Sequence, residues 1–141
     1  MNLKHLARPI VMTNGCFDIL HRGHVEMLTK ASQMGASLIV AVNSDASVRR
    51  LKGSERPINM LEDRMAVLIA IEAVTAVVAF DADTPIELIR QIKPDVLVKG
   101  GDWKKENVAG ADEVEQWGGV FRSVPITFKR STTAIIKKIR G

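Results

Sequence analysis

Apolar residues gather in short β-prone runs at positions 10–12, 38–42, 76–80, 96–98 and 120–124. The runs are nearly continuous in apolar character and do not alternate with polar residues. That pattern predicts strands covered on both faces, as in parallel sheets. Between the runs lie segments with apolar positions at helical spacing. Strand alternating with helix predicts an α/β fold, with an open parallel five-stranded sheet and helices on both faces. Punctuation agrees with this reading. Asn59 and Glu62 bracket a helix start in a capping-box pattern, and Thr84-Pro85-Ile86-Glu87 offers a cap, a proline at the first helical position and a returning carboxylate. Pro94 should stop the helix carrying Ile89 and Ile92, and a last helix should open at Ser131-Thr132-Thr133. Residues 52–59 and 100–111 read as loops, the first of them mobile.

Length and composition change this picture little. The 141 residues predict one domain over 1–141, and 46% hydrophobic with 26% charged residues is an ordinary globular balance. The net charge of +4 is too mild to argue for nucleic acid. Basic residues cluster late, at Lys129, Arg130, Lys137, Lys138 and Arg140. They suit either a solvated helix end or attraction of a polyanion such as a nucleoside triphosphate. Cys16 is the single cysteine, so no intramolecular disulfide forms, which fits a reducing cytoplasm. Residues 1–9 hold no long apolar stretch, and 65–80 is interrupted by Glu72 and Thr75, so neither a leader nor a membrane span is expected.

The informative stretch is Thr13-Asn14-Gly15-Cys16-Phe17-Asp18-Ile19-Leu20-His21-Arg22-Gly23-His24. It joins the first strand to the first helix. Such a junction offers free backbone N–H groups and the positive end of a helix dipole, which suit a phosphate. His21 and His24 are three apart and share a face of the first turn. Either histidine alone could be a surface residue or a cap; together with the glycine turn they point to catalysis on a phosphate group. Gly15, Cys16 and Phe17 can present N–H groups to an α-phosphate, with Thr13 and Asn14 beside them. In a fold of this kind ligands lie beyond the carboxyl ends of the strands, at the switch in strand order. Residues 13–18, 43–45, 99–102 and 131–133 should gather there. Lys52 and Arg56 suit a loop that closes over phosphates, or a merely solvated one. Lys99, Gly101 and Asp102 suit a sugar phosphate and a hydroxyl, and Ser131, Thr132 and Thr133 are either caps or an anion site. No P-loop and no G-x-G-x-x-G is present. His5, His21, His24 and one cysteine do not compose a zinc site, so no protein metal ligands are expected.

The His-x-Gly-His arrangement resembles the HxGH nucleotidyltransferases. Further blocks narrow the resemblance: Asn43-Ser44-Asp45, Arg49-Arg50-Leu51-Lys52-Gly53, Arg56-Pro57-Ile58, Val98-Lys99-Gly100-Gly101-Asp102-Trp103, Val108-Ala109-Gly110 and Ser131-Thr132-Thr133. In that order they are similar to the adenylyltransferases of ADP-heptose synthesis. The resemblance implies a Rossmann-like fold and transfer of AMP from ATP to a heptose 1-phosphate, for surface polysaccharide precursors. It implies His21, His24 and Lys52 as catalytic residues. As binding residues it implies Thr13, Asn14, Gly15, Cys16, Phe17, Arg56, Lys99, Gly101, Asp102, Ser131, Thr132 and Thr133. Mg2+ would come with ATP. The family's sugar kinase is often fused; here a separate kinase chain would act upstream, and a homodimer is expected. One departure is Phe128-Lys129-Arg130, where many relatives carry a glycine-containing turn. Two alternatives stay open: a cytidylyltransferase for glycerol 3-phosphate or another polyol phosphate, and a non-catalytic nucleotide-binding module. The Val98–Asp102 block leans toward heptose.

Overall fold

A computed structural model describes residue 3 and residues 5–141. Residues 1, 2 and 4, part of the stretch read above for a leader, lie outside the described residues. The elements run β1 (Ile10–Gly15), α1 (Arg22–Ser32), β2 (Ser37–Asn43), α2 (Asp45–Lys52), α3 (Leu61–Ile69), β3 (Ala76–Phe80), α4 (Ile86–Ile92), β4 (Val96–Gly100), α5 (Ala111–Gln116), β5 (Val120–Val124) and α6 (Thr132–Arg140). The five strands are parallel, in the order β3-β2-β1-β4-β5. β1 pairs with β2 on one side and β4 on the other, so the strand order reverses between β1 and β4.

The continuous apolar runs are explained by two cores. Along β1, Val11 joins Leu28, Ala31, Val40 and Leu68, beneath α1 and α3. Its neighbours Ile10 and Met12 point the other way and join Ile39, Leu88, Ile89 and Val114, beneath α4 and α5. Successive strand residues face opposite sides, so both sets must be apolar. Full burial of each such side chain contributes about 1.5–3 kcal/mol.

Three local expectations are corrected. Asn59 does not cap α3. Met60 is the N-cap and has no side-chain cap bond; the Leu61 N–H instead donates to Asp45 Oδ1 at 2.9 Å. Asn59 is drawn away by Asp18, which accepts its N–H at 2.9 Å. Thr84 does not cap α4 either, because Pro85 occupies the N-cap and no side-chain bond forms. The third correction is α2, which ends at Lys52, a residue expected in a loop. Of α2 only Ser47 and Val48 are buried, so it carries almost no apolar signature. Ser44 announces it by accepting the Ser47 N–H at 3.1 Å. The expected stops hold elsewhere: α4 ends before Pro94 through Lys93 in the left-handed region (φ 52°), and Ser131 caps α6.

Candidate active site

The turn after β1 and the end of β4 flank a cleft at the switch in strand order. It holds about 210 Å3 and is lined by residues including Thr13, Asn14, Gly15, Cys16, Phe17, His21, His24, Lys99 and Arg130. A second depression of about 510 Å3 continues from the same turn toward Lys52, Arg56, Trp103, Ser131, Thr132 and Thr133. The four segments expected on this edge do not all serve it alike. Residues 13–18, Lys99 and 131–133 meet there. Gly101 and Asp102 line a neighbouring cavity of about 590 Å3, with Ser123, Lys129 and Arg130.

Asn43-Ser44-Asp45 lines none of these cavities and does structural work instead. Asn43 Nδ2 donates to Ser47 Oγ at 3.0 Å, and Asp45 Oδ1 accepts from Arg64 at 2.8 Å.

His21 is the N-cap of α1, with extended backbone (φ −140°). Its Nδ1 accepts the Gly23 N–H at 3.1 Å, and His24 Nδ1 accepts the His21 N–H at 3.3 Å. The two rings stack with centroids 3.9 Å apart. Each Nδ1 is an acceptor, so each neutral ring carries its proton on Nε2 as a donor. Burial, reinforced by the neighbouring His21, pushes the His24 pKa down to about 4. Burial and the Arg130 charge also lower that of His21. Near neutral pH His24 is therefore a neutral donor and not a cation. The glycine between them is a packing requirement: a Cβ on Gly23 would lie 2.8 Å from the Phe128 carbonyl oxygen.

Asp18 is buried and fully occupied. Its Oδ2 accepts from Arg56 Nε at 3.0 Å and from the Ile58 N–H at 2.8 Å, and its Oδ1 from the Asn59 N–H. Burial works to raise its pKa, but the Asn59 and Ile58 N–H groups and Arg56 outweigh it, and the value falls below the ordinary one. Arg56 is thus held to Asp18, with an end left at 3.3 Å from Thr133 Oγ1. Of the hydroxyl trio, Ser131 caps Ala134 N–H at 3.2 Å and Thr132 donates to the Ile19 carbonyl at 2.9 Å. Lys52, exposed at the end of α2, faces the same depression. Lys99 lies within β4, where burial lowers its pKa; its Nζ sits 5.5 Å from the Trp103 ring centroid. Burial raises the Cys16 thiol above its usual value despite the nearby Lys52, Arg64 and Arg56, so the protonated thiol is no nucleophile at neutral pH.

Two details of the site come from the structure alone. Thr13 Oγ1 is buried in the wall of the cleft and has no hydrogen-bond partner among the described residues. Arg64 is 1% exposed and holds the site from below. It donates to the carbonyls of Cys16 and Asn43 at 2.8 Å and of Asn59 at 2.9 Å, besides Asp45. The sequence offers Arg64 either a pairing with Glu62 or Asp63 or a reach to the active site; among the described residues its carboxylate partner is Asp45, and it supports the turn from below.

The cytidylyltransferase-like family matches residues 12–138. The chain belongs to this family. Among its curated members, the chain is 54% identical to D-beta-D-heptose 1-phosphate adenylyltransferase of Bordetella bronchiseptica over 96% of this chain and 84% of that one. It is 58% identical to Bifunctional protein HldE of Wolinella succinogenes, over 96% of this chain but only 28% of the longer protein. A solved relative is the lipopolysaccharide core biosynthesis protein of Thermoplasma volcanium, with TM-score 0.68, 25% identity and coverage of 86% of this chain and 98% of that one. Pantothenate synthetase of Thermus thermophilus shares the fold, with TM-score 0.56, 15% identity and coverage of 82% of this chain and 55% of that one. The Rossmann-like α/β architecture expected from the sequence is thus borne out. Among the described residues no helix is long and apolar enough to cross a membrane.

The His24 shift sets an expected pH dependence. Its folded pKa, about 4, lies below the ordinary 6.5, so the unfolded chain binds more protons between those values. This contribution is complete above about pH 6.5 and is lost as pH falls toward 4. His24→Asn should flatten the fall of thermal unfolding temperature across that window. An equally steep fall in the variant would assign the effect to other groups.

Proposed function

We propose that this chain, acting as one catalytic domain, transfers AMP from ATP to a heptose 1-phosphate and yields ADP-heptose and pyrophosphate. The observation that carries the reading is the pair of stacked, neutral imidazoles at the start of α1, beside Lys99 and above the β1–α1 turn. An oxygen of the acceptor phosphate would attack the α-phosphorus as the bond to the bridging β-oxygen breaks, and pyrophosphate would leave with that electron pair. Such transfer needs positioning and charge stabilisation and no covalent nucleophile.

The residue roles follow from placement. N–H groups of Gly15, Cys16 and Phe17, with Asn14, would hold the α-phosphate, and Thr13 Oγ1 gains a partner there. His21 and His24 would donate from Nε2 to oxygens whose charge grows. Lys52 and Lys99 would supply cationic charge, and Arg56 and residues 131–133 would complete the phosphate wall. Gly101 and Asp102 would receive the sugar end of the acceptor in the adjoining cavity. Among the described residues no three His, Cys, Asp or Glu come together as metal ligands. Mg2+ would arrive on the triphosphate, where it neutralises phosphate charge.

The heptose acceptor is supported by the name of the Bordetella relative and by the Val98-Lys99-Gly100-Gly101-Asp102-Trp103 block. A sugar kinase acting upstream would supply the heptose 1-phosphate in the cytoplasm, and the enzyme would work as a dimer. The test is pyrophosphate release from ATP or CTP with heptose 1-phosphate or glycerol 3-phosphate. ATP with heptose 1-phosphate should be fastest, by ~10,000-fold where a buried polar group would be left unpaired by the wrong acceptor. Faster release with CTP and glycerol 3-phosphate would overturn the substrate assignment, and no release from any pair would overturn the catalytic reading.

A further inference from the structure

The segment between β5 and α6 is fastened to the histidine-bearing helix by three side chains. Glu26 Oε1 accepts the N–H groups of Thr127 at 2.8 Å and Phe128 at 2.9 Å. Its Oε2 accepts Lys30 Nζ at 2.8 Å, and Lys30 also donates to the Pro125 carbonyl at 2.9 Å. The Arg22 guanidinium lies 3.4 Å from the Phe128 ring centroid. The missing Cβ of Gly23 lets the Phe128 carbonyl approach. The Lys30 bond and the Phe128 N–H hold the Glu26 pKa at about 2, so the carboxylate is ionised throughout the working range.

The far end of this segment is Arg130. It lines the cleft with His21, His24 and Lys99, and also the adjoining cavity with Asp102. Its one hydrogen bond among the described residues is to the Lys129 carbonyl, at 3.4 Å. Arg56 and Arg64 are already committed to Asp18 and Asp45. Neutral imidazoles donate hydrogen bonds without cancelling charge, so among the described residues lining this cleft Lys99 and Arg130 are the side-chain cations that face a bound triphosphate.

We propose that Arg130 is a phosphate-binding cation of the nucleotide cleft, and that Glu26 is the positioning residue that sets it beside His21. The inference rests on the ATP reading above. An arginine fork suits phosphate oxygens, and such a charge-assisted bond is stronger than a neutral one. Glu26 touches no substrate and acts through the loop.

The test is calorimetric titration of magnesium α,β-methylene-ATP into the intact chain. Arg130→Ala should weaken binding by roughly 10-fold. Glu26→Ala should weaken it in the same direction, and the double variant should be no worse than Arg130→Ala alone. Glu26→Gln, which keeps one accepting oxygen and the side-chain volume, should fall between wild type and Glu26→Ala, and it takes the place of that variant if the alanine form does not fold. Unchanged affinity of Arg130→Ala overturns the cation role. Losses from the two single variants that multiply in the double variant overturn the positioning role. A wild-type chain that binds no nucleotide overturns the ATP reading itself.

Discussion

His24→Ala is expected to cut turnover by roughly 100- to 1000-fold while ATP binding changes far less. The ring is already neutral, oriented by the His21 N–H and stacked on His21, so its Nε2–H is fixed before substrate arrives. A fixed donor costs no reorganisation when charge develops, and its contribution falls mainly on the transition state. Removing it should therefore lower the maximal rate and leave the Michaelis constant for ATP nearly unchanged. Steady-state pyrophosphate release over a range of ATP concentrations separates the two. Near-normal turnover would remove His24 from the chemistry. A large rise in the Michaelis constant at constant turnover would make it a ground-state binding residue.

Arg64→Ala should be the most destabilising single change near the site, by about 3–5 kcal/mol. The guanidinium is buried and satisfies three backbone carbonyls and the Asp45 carboxylate. Its removal leaves the Asn43 carbonyl unsatisfied in the interior and takes a donor from the Cys16 and Asn59 carbonyls, while Asp45 keeps the Leu61 N–H; each buried unsatisfied group costs about 1–3 kcal/mol. Total stabilities of natural domains are only about 5–15 kcal/mol, so the variant should approach the folding threshold. Arg64→Lys keeps the charge but loses the planar fork, and should recover only part of the loss. Urea unfolding midpoints measure both. A loss below about 1 kcal/mol for Arg64→Ala would mean that water or neighbouring chain replaces the guanidinium readily. Because the Cys16 carbonyl is one of its acceptors, the same change should also loosen the turn beneath the histidines.

Much of the fold was legible in the chain. Strand runs at 76–80 and 120–124 coincide with β3 and β5, and the other three lie inside longer strands. Parallel strands buried on both faces must be apolar at every position, and that constraint is written residue by residue. The His-x-Gly-His junction was equally legible, because the start of a helix after a glycine turn is local chemistry. α2 was not, since a helix that buries one serine and one valine has no apolar stripe to read. The capping expectations at Asn59 and Thr84 failed for a related reason. A cap is a competition: at α3 Asp45 and Asp18 won it from positions distant in sequence, and at α4 Pro85 takes the N-cap itself.

The primary structure by itself determined the layer architecture, the glycine turn that leads into the histidine-bearing helix, and the membership of four segments on one sheet edge. Only the tertiary structure decided how those segments divide their labour. Residues 43–45 became supports, Arg56 became an anchor of Asp18, and Asp102 moved to the adjoining cavity. It also decided that both histidines donate from Nε2, that Thr13 Oγ1 is left without a partner, and that Glu26 grips a segment about a hundred residues away. The reason is physical. Periodicity and local turns are set by near neighbours along the chain, whereas hydrogen-bond partners, burial and the resulting proton affinities are set by neighbours in space.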